Sequence, residues 1–295
     1  MSKVVVIGCG NVGMAYCYSL INQILDLDTL VLIDINKNSL YGKILDLNHS
    51  IFNLNNSINI LEGNYSDCSD ADIVCITVGP NQSLIKTSRM EDLHQANSIF
   101  KEIIPAIKNS GFSGIYLIAS NPLDVMTYVT WKYAGCSPYK VIGSGTLLDT
   151  ARLKYILSRD YNKSINEITG YVLGEHGDSQ FIPWSTINIE KLSELKMTKI
   201  SDEVKKSGFE VANSQGFTSY GVASALSRIT RTILFDEKII LPVCSYLDEY
   251  GIFISTPSII GKDGVIKTNV IDLEKSEIEK LEKSISAVKT AIGNL

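Results

Sequence analysis

The chain has 295 residues, 45% of them hydrophobic and 20% charged, which is enough to bury the cores of two domains. Its net charge of −5 comes without a basic stripe, which disfavours nucleic-acid binding. Apolar runs are of strand length, far below the roughly 18 residues of a membrane span, so we expect no transmembrane segment. The first strand starts within three residues of Met1, which leaves no room for a signal peptide, and a cytoplasmic protein is expected.

Strands and helices alternate through the first half of the chain. Strands are predicted at residues 4–7, 30–34, 58–61, 72–78 and 115–119 and around Val141, and helices at 12–25, 37–48 and 91–109. The strands lack polar alternation, which is typical of strands buried on both faces of a parallel sheet. The expected fold class is therefore α/β, with a doubly wound parallel sheet.

A glycine-rich turn joins the first strand to the first helix. Its sequence is GxGxxG, formed by Gly8, Cys9, Gly10, Asn11, Val12 and Gly13. The first glycine allows a tight turn, the second lets the backbone approach a pyrophosphate, and the third lets helix and strand pack closely. The helix N-terminus would then face the phosphates, so this turn predicts a dinucleotide site.

The residue after the second strand favours NAD over NADP. Asp34 stands 21 residues beyond Gly13, where a carboxylate can accept both hydroxyls of an adenosine ribose. It would also repel the 2′-phosphate of NADP. Lys37, just beyond Asp34, is the feature that keeps NADP as an alternative.

The second half of the chain lacks this alternation. Helical patterns occupy residues 149–159, 202–235 and 276–292, and the long one is broken near Gly216 and Gly221. We therefore divide the chain into an NAD-binding Rossmann domain, residues 1–143, and an α+β substrate domain, residues 144–295. The substrate is expected at the seam between them.

Three polar side chains of the second half are candidates for chemistry. His176, one of only three histidines, lies between two glycines in the segment GEHGD and is a candidate proton carrier. Asp149 and Arg152 are three residues apart, a helical spacing that places both on one face. An imidazole, a carboxylate and a guanidinium can together handle a small acid. The six cysteines show no CxxC pair and no metal-ligand spacing, so we expect reduced packing residues and no metal site.

Six segments in order resemble the L-lactate and L-malate dehydrogenase family of NAD-dependent 2-hydroxy-acid dehydrogenases. The resemblance covers nearly the whole chain and is carried by GCGNVG at 8–13, DLNH at 46–49, SNPLD at 120–124, GSGT at 143–146, DTAR at 149–152 and GEHGD at 174–178. It implies an enzyme that transfers hydride between NAD and a small 2-oxo or 2-hydroxy acid, assembled as a homodimer or homotetramer.

The resemblance also implies catalytic roles. His176 would be the acid/base, and Asp149 would orient its imidazole and raise its pKa. Arg152 would hold the substrate carboxylate with two parallel hydrogen bonds. Arg89 would close over the substrate and polarise its carbonyl.

Further residues are expected around these. Asn121 would contact the nicotinamide ribose and the substrate, and Gly79 would join the glycine turn in binding the cofactor. Thr218 would line the substrate pocket. The alternatives are that Asn121, which precedes a proline, shapes a turn, and that Thr218 caps a helix.

Substrate choice is expected to depend on the loop at residues 79–89. An arginine near Gln82 would favour malate, whereas neutral Gln82 leaves a second carboxylate uncompensated, so lactate and pyruvate are the better substrates. The spacing from Gln82 to Arg89 is one residue longer than expected for lactate dehydrogenases, and the Pro-Gly usual in bacterial members is missing. Larger 2-hydroxy acids, such as 2-hydroxyisocaproate, or malate are therefore alternatives. A non-catalytic NAD-binding protein is a more distant one.

An allosteric site of bacterial lactate dehydrogenases is changed in this sequence. Those enzymes bind fructose 1,6-bisphosphate through an arginine and a histidine, and Lys154 and Thr169 stand at the matching positions. We expect the sugar bisphosphate to have little effect here.

Overall fold

The structure is a computed structural model that describes residues 2–24, 26–54, 57–79, 89–190 and 192–295, without the side chains of residues 89 and 90. Its strands are β1 (Lys3–Ile7), β2 (Thr29–Ile33), β3 (Asn59–Glu62), β4 (Ile73–Ile76), β5 (Ile115–Ile118), β6 (Val141–Gly143), β7 (Ile239–Leu247), β8 (Ile252–Gly261) and β9 (Gly264–Lys267). Its α-helices are α1 (Asn11–Gln23), α2 (Lys37–Ile51), α3 (Arg89–Asn109), α4 (Leu123–Ala134), α5 (Leu147–Tyr161), α6 (Glu194–Gln215), α7 (Tyr220–Leu234) and α8 (Lys275–Gly293).

All of these strands belong to one sheet, in the order β3-β2-β1-β4-β5-β6-β7-β8-β9. The pairs from β3 to β6 are parallel, and the pairs from β6 to β9 are antiparallel. The chain order reverses between β1 and β4, which opens a crevice at the carboxyl ends of these two strands. The predicted doubly wound α/β fold is confirmed, and the crevice is where a dinucleotide is expected.

Both faces of the parallel sheet are buried, because successive side chains of a strand point in opposite directions. In β1, Val4 and Val6 pack in one apolar core with α1 and α7. Val5 and Ile7 pack in a second core with α3 and α4 on the other face. This explains why the strand is apolar throughout. Within the described ranges, no helix is both long and apolar enough to cross a membrane.

Several predictions for the part of the chain after β5 need correction. The sheet does not end at β6, since the antiparallel strands β7, β8 and β9 continue it and were not predicted. Helix α4 was also not predicted, and α6 begins at Glu194 instead of residue 202. The break near Gly216 is confirmed, because this residue ends α6 with a φ of 88°. The gap ends at Ser219, the N-cap of α7, so Gly221 stands at the start of the next helix and the predicted break is one short interruption between the two glycines.

Candidate active site

The glycine turn lies at the carboxyl end of β1, inside the crevice. Gly8 has a φ of 91°, a left-handed conformation that favours glycine. A Cβ added to Gly13 would lie 2.1 Å from the carbonyl oxygen of Gly8, so only glycine lets α1 approach the strand this closely. A Cβ on Gly10 would meet nothing within 4 Å, so the space in front of this residue is open.

The N-terminus of α1 can receive a phosphate. Gly10 is the N-cap residue and offers no side-chain cap, and the first turn, which begins with Asn11 and Val12, holds no acidic residue. Uncapped N–H groups and the positive end of the helix dipole favour an anion. These features and the open space at Gly10 fit the pyrophosphate of a dinucleotide.

Asp34 is held beside the glycine turn. Its Oδ2 accepts a hydrogen bond from the backbone N–H of Cys9 at 2.7 Å, and its Oδ1 accepts one from Asn36 N–H at 2.8 Å. Lys37 forms an ion pair with Glu62 at 2.9 Å, so its charge is already compensated. The arrangement therefore favours a ribose with free hydroxyls over a 2′-phosphate. Gly79 lies three residues beyond the end of β4, at the same edge of the sheet.

His176, Asp149 and Arg152 form a hydrogen-bonded cluster. Nδ1 of His176 lies 2.7 Å from Oδ2 of Asp149, to which it donates. Nη1 of Arg152 donates to Oδ1 of Asp149 at 2.9 Å, one helical turn along α5. The side chain of Asp149 is 3% exposed, while that of His176 is 29% exposed. The carboxylate thus lies in the interior and fixes two cationic groups that can reach a ligand.

The pKa values in this cluster follow from burial and charge. Burial disfavours the imidazolium of His176, but the charge and the hydrogen bond of Asp149 outweigh it, so the pKa of His176 is raised above its ordinary value of 6.5. Burial also disfavours the carboxylate of Asp149, but the charges of His176 and Arg152 and their hydrogen bonds keep its pKa lowered. The pair is therefore suited to hold a proton on the imidazole near neutral pH.

A cavity of about 330 Å³ joins this cluster to the cofactor crevice. Its lining includes all three clustered side chains, together with Asn121, Thr218, Val12, Gly145, Leu148 and Gln180. Val12 belongs to the first turn of α1, so the cavity begins where the glycine turn ends. Thr218 lies just before α7, whose N-cap is Ser219, so its predicted alternative as a cap does not apply. The cavity has room for a small acid between the imidazole and the crevice.

The loop that carries His176 is held from two sides. Ser284 of α8 accepts a hydrogen bond from the backbone N–H of Glu175 at 2.7 Å. The Ser179 hydroxyl lies 2.8 Å from the Ser284 hydroxyl. On the other side, the backbone N–H of His176 donates to Oδ2 of Asp124 at 2.8 Å. Sequence reasoning missed both supports; the single signal for Asp124 was its place in the segment SNPLD.

Two predicted site residues lie outside this description. Gln82 and the rest of residues 80–88 are not among the described residues, and neither is the side chain of Arg89. The backbone of Arg89 begins α3. In the described ranges, no group of three or more histidine, cysteine, aspartate or glutamate residues could hold a metal ion.

A larger cavity, of about 650 Å³, lies on the other side of the histidine loop. The described residues that line it include Glu175, Trp184, Lys205, Lys280 and Lys283, but not His176, Asp149 or Arg152. We place the chemistry in the smaller cavity, because the titratable cluster with shifted pKa values faces it.

Family models match nearly the whole chain. The model of the lactate/malate dehydrogenase NAD binding domain matches residues 2–143, and that of the lactate/malate dehydrogenase alpha/beta C-terminal domain matches residues 146–295.

Related proteins match over the same length. The L-lactate dehydrogenase of Halalkalibacterium halodurans is 40% identical over 298 residues, covering 98% of this chain and 96% of that protein. That of Borrelia turicatae is 38% identical over 311 residues, covering 100% and 98%. A solved lactate dehydrogenase from a Medee basin deep-sea metagenome library superposes with a TM-score of 0.94, at 37% identity and 99% and 98% coverage. The minor L-lactate dehydrogenase of Enterococcus mundtii, in a ligand-bound form, gives a TM-score of 0.95, at 33% identity and 100% and 98% coverage.

Proposed function

Because the chain belongs to the lactate/malate dehydrogenase family, we propose that it is an L-lactate dehydrogenase, which interconverts pyruvate and L-lactate. It is an enzyme that uses NAD, as the NAD binding domain and the named relatives establish. The relatives are named for lactate, which favours this substrate over malate and 2-hydroxyisocaproate. The non-catalytic alternative finds no support among them.

One observation supports the chemistry above the others: Asp149 holds an imidazole and a guanidinium on the wall of one small cavity. The nicotinamide, when bound, supplies the hydride for pyruvate reduction and accepts it in lactate oxidation. His176 carries the proton. Its Nδ1 is bonded to Asp149, which leaves Nε2 to donate to the ketone oxygen of pyruvate or to accept from the hydroxyl of lactate. Asp149 keeps this tautomer and stabilises the imidazolium.

The remaining residues orient the substrate in this proposal. Arg152 binds the carboxylate of pyruvate through two N–H groups, since a guanidinium matches a carboxylate in shape and charge. Asn121 contacts the substrate and the nicotinamide ribose, and Thr218 bounds the cavity. Arg89 is proposed to polarise the carbonyl, and Gln82, being neutral, would provide no charge for a second substrate carboxylate.

The experiment that tests the substrate is a comparison of kcat/KM with NADH for pyruvate, oxaloacetate and 2-oxoisocaproate. We expect pyruvate to have the highest value, because a neutral Gln82 leaves the second carboxylate of oxaloacetate unpaired in the site. A preference for either larger acid would contradict the proposal and would mean that Gln82 does not set specificity. If the protein reduced none of the three acids, the result would instead favour a non-catalytic NAD-binding protein.

We also propose the setting of the enzyme. A division into residues 1–143 and 144–295 is supported by the two family models, which meet near that boundary. A cytoplasmic location is supported by six free thiols, five of them buried, since free thiols persist in reducing compartments. A homodimer or homotetramer is expected from the family. The substrate pair would place the enzyme at the end of glycolysis.

A further inference from the structure

A buried carboxylate near the site has no part in the chemistry described so far. Asp124 is the second residue of α4 and is only 2% exposed. Burying a carboxylate costs free energy unless its charge is compensated, so an apolar side chain would fill this place at lower cost. Its contact points to a use: Oδ2 accepts the backbone N–H of His176 at 2.8 Å across 52 residues of sequence.

The surroundings of Asp124 leave part of its charge uncompensated. Its Oδ1 is buried and has no hydrogen-bond partner among the described residues, although the Cys244 thiol lies close enough to affect the pKa values of both groups. Burial raises the pKa of Asp124 to about 6, while the His176 N–H and the Cys244 thiol oppose the rise. The N-terminus of α4, which has no side-chain cap, also favours the anion. The carboxylate is therefore ionised at neutral and higher pH.

We propose that Asp124 is a positioning residue for His176, which fixes the backbone of its loop and places a second negative charge near its imidazole. His176 then lies between two carboxylates on different helices. Asp149 of α5 bonds the ring, and Asp124 of α4 bonds the main chain. The second charge favours the imidazolium, and the anchored backbone holds the ring on Asp149. This inference rests on the proposed function, in which His176 carries the proton.

Other charged groups lie around this pair, and among the described residues Asp178 and Lys205 line the same cavity as His176. His176 is influenced by Asp149, Asp124 and Arg152, of which the two carboxylates favour the imidazolium and Arg152 opposes it. Asp124 is influenced by His176, Cys244 and Glu175. Glu175 is a like charge that disfavours the Asp124 anion. The imidazolium of His176 favours this anion, and the anion in turn favours the imidazolium, so the two charged forms stabilise each other.

The test is an NMR titration of the histidine side chains in the unliganded protein, before and after Asp124→Asn. Asparagine keeps an oxygen that can accept the His176 N–H but removes the charge. With three histidines in the chain, each resonance can be assigned by substitution. We expect the pKa of His176 to fall by at least about 0.5. An unchanged pKa of His176 would overturn the proposal.

A second variant, Asp124→Ala, removes the backbone anchor as well. We expect kcat for pyruvate reduction to fall at least about tenfold with little change in NADH affinity, because the loop moves and the cofactor turn does not. An equal loss of NADH affinity would indicate general disruption and would contradict the proposal. If the alanine variant does not fold, the titration of the asparagine variant still decides.

Thr130→Val is the matched control, since Thr130 is fully buried on the same helix and its hydroxyl donates to Met126 O. This variant should have the same His176 pKa and the same kcat as the wild type. If its His176 pKa fell as much as in Asp124→Asn, the effect would come from packing of α4, and the proposal would be overturned. The titration needs no substrate. A protein that does not reduce pyruvate would thus contradict only the proposed function, whereas an active enzyme with an unshifted His176 would contradict only this inference.

Discussion

At the scale of single residues, Asp149 has two partners and fixes both groups proposed to meet the substrate. Its Oδ1 accepts from Arg152 and its Oδ2 from His176, at 2.9 and 2.7 Å. The positions of the proton carrier and of the carboxylate-binding group are therefore not independent. Because Asp149 is buried, water does not compete for these two hydrogen bonds as it would at the surface.

Arg152→Lys should lower kcat/KM for pyruvate at least about tenfold, because charged hydrogen bonds are worth about 1.5–3 kcal/mol each and lysine cannot make two parallel ones to a carboxylate. Steady-state kinetics with NADH give the answer. Arg159→Lys is the control: it lies on the same helix, its side chain is 46% exposed, and its partners are Asp160 and Glu203. Equal kcat/KM in Arg152→Lys and the wild type would remove Arg152 from the substrate site.

Site residues differed in how far the sequence could reveal them. His176, Asp149 and Arg152 were predicted from local patterns and from resemblance, and the structure brings them together. Asp124 was missed because its contact with His176 spans 52 residues of sequence. In addition, the helix dipole favours an aspartate in the first turn of any helix, so its presence there did not indicate a role in the site. The roles of Gln82 and Arg89 remain predictions.

At the scale of elements, the β1–α1 turn separates two uses of glycine. Gly13 is required for packing, since an added Cβ would lie 2.1 Å from a backbone oxygen. Gly10 has open space around it and a φ of −76°, which any residue can adopt. The open space in front of Gly10 is therefore available to a ligand and is not needed for packing of the fold.

Gly10→Ala should therefore fold as the wild type does but bind NADH at least about tenfold more weakly, because the methyl group would occupy the approach of the pyrophosphate. Thermal unfolding and NADH fluorescence titration measure the two quantities. Gly42→Ala in α2, where an added Cβ also meets nothing within 4 Å, is the control: it should leave the NADH affinity unchanged and keep or raise the unfolding temperature, because alanine favours a helix over glycine. Unchanged NADH affinity in Gly10→Ala would contradict the phosphate site.

The elements that the sequence did not reveal have physical reasons. Eight of the residues of α4, from Leu123 to Ala134, are buried, so this helix has no clear polar face. Strands β7 and β8 contain Pro242 and Pro257, which argue against strand interiors. The two prolines are opposite each other in the β7–β8 register, so both residues that lack a backbone N–H lie in the same residue pair.

At the scale of the whole molecule, a single sheet crosses the proposed domain boundary. Gly143 at the end of β6 pairs with Cys244 of β7, so the antiparallel strands continue the parallel ones. The alternating pattern of the first half predicted the parallel part of this sheet. The second half could not be predicted in the same way, because long-range antiparallel pairing leaves no α/β alternation in the sequence.

Fructose 1,6-bisphosphate should have little effect on the KM for pyruvate. Thr169, where the resemblance to bacterial lactate dehydrogenases implies a histidine, cannot carry charge, and its hydroxyl already donates to Thr186 O at 3.1 Å. Lys154 is a single point charge where a guanidinium would bind a phosphate with two bonds. Pyruvate saturation curves with and without the sugar bisphosphate provide the measurement. A large fall in KM would show that a phosphate site persists.

Proton transfer through His176 is tested most directly by the pH dependence of both reaction directions. Pyruvate reduction needs the imidazolium, so kcat/KM should fall as pH rises through the pKa of His176, which Asp149 raises above 6.5 in spite of burial. Lactate oxidation needs the neutral imidazole, so its kcat/KM should rise over the same range. Opposite profiles with a shared midpoint would agree with a proton carried by His176. Profiles that change in the same direction, or that survive in His176→Asn, would contradict it.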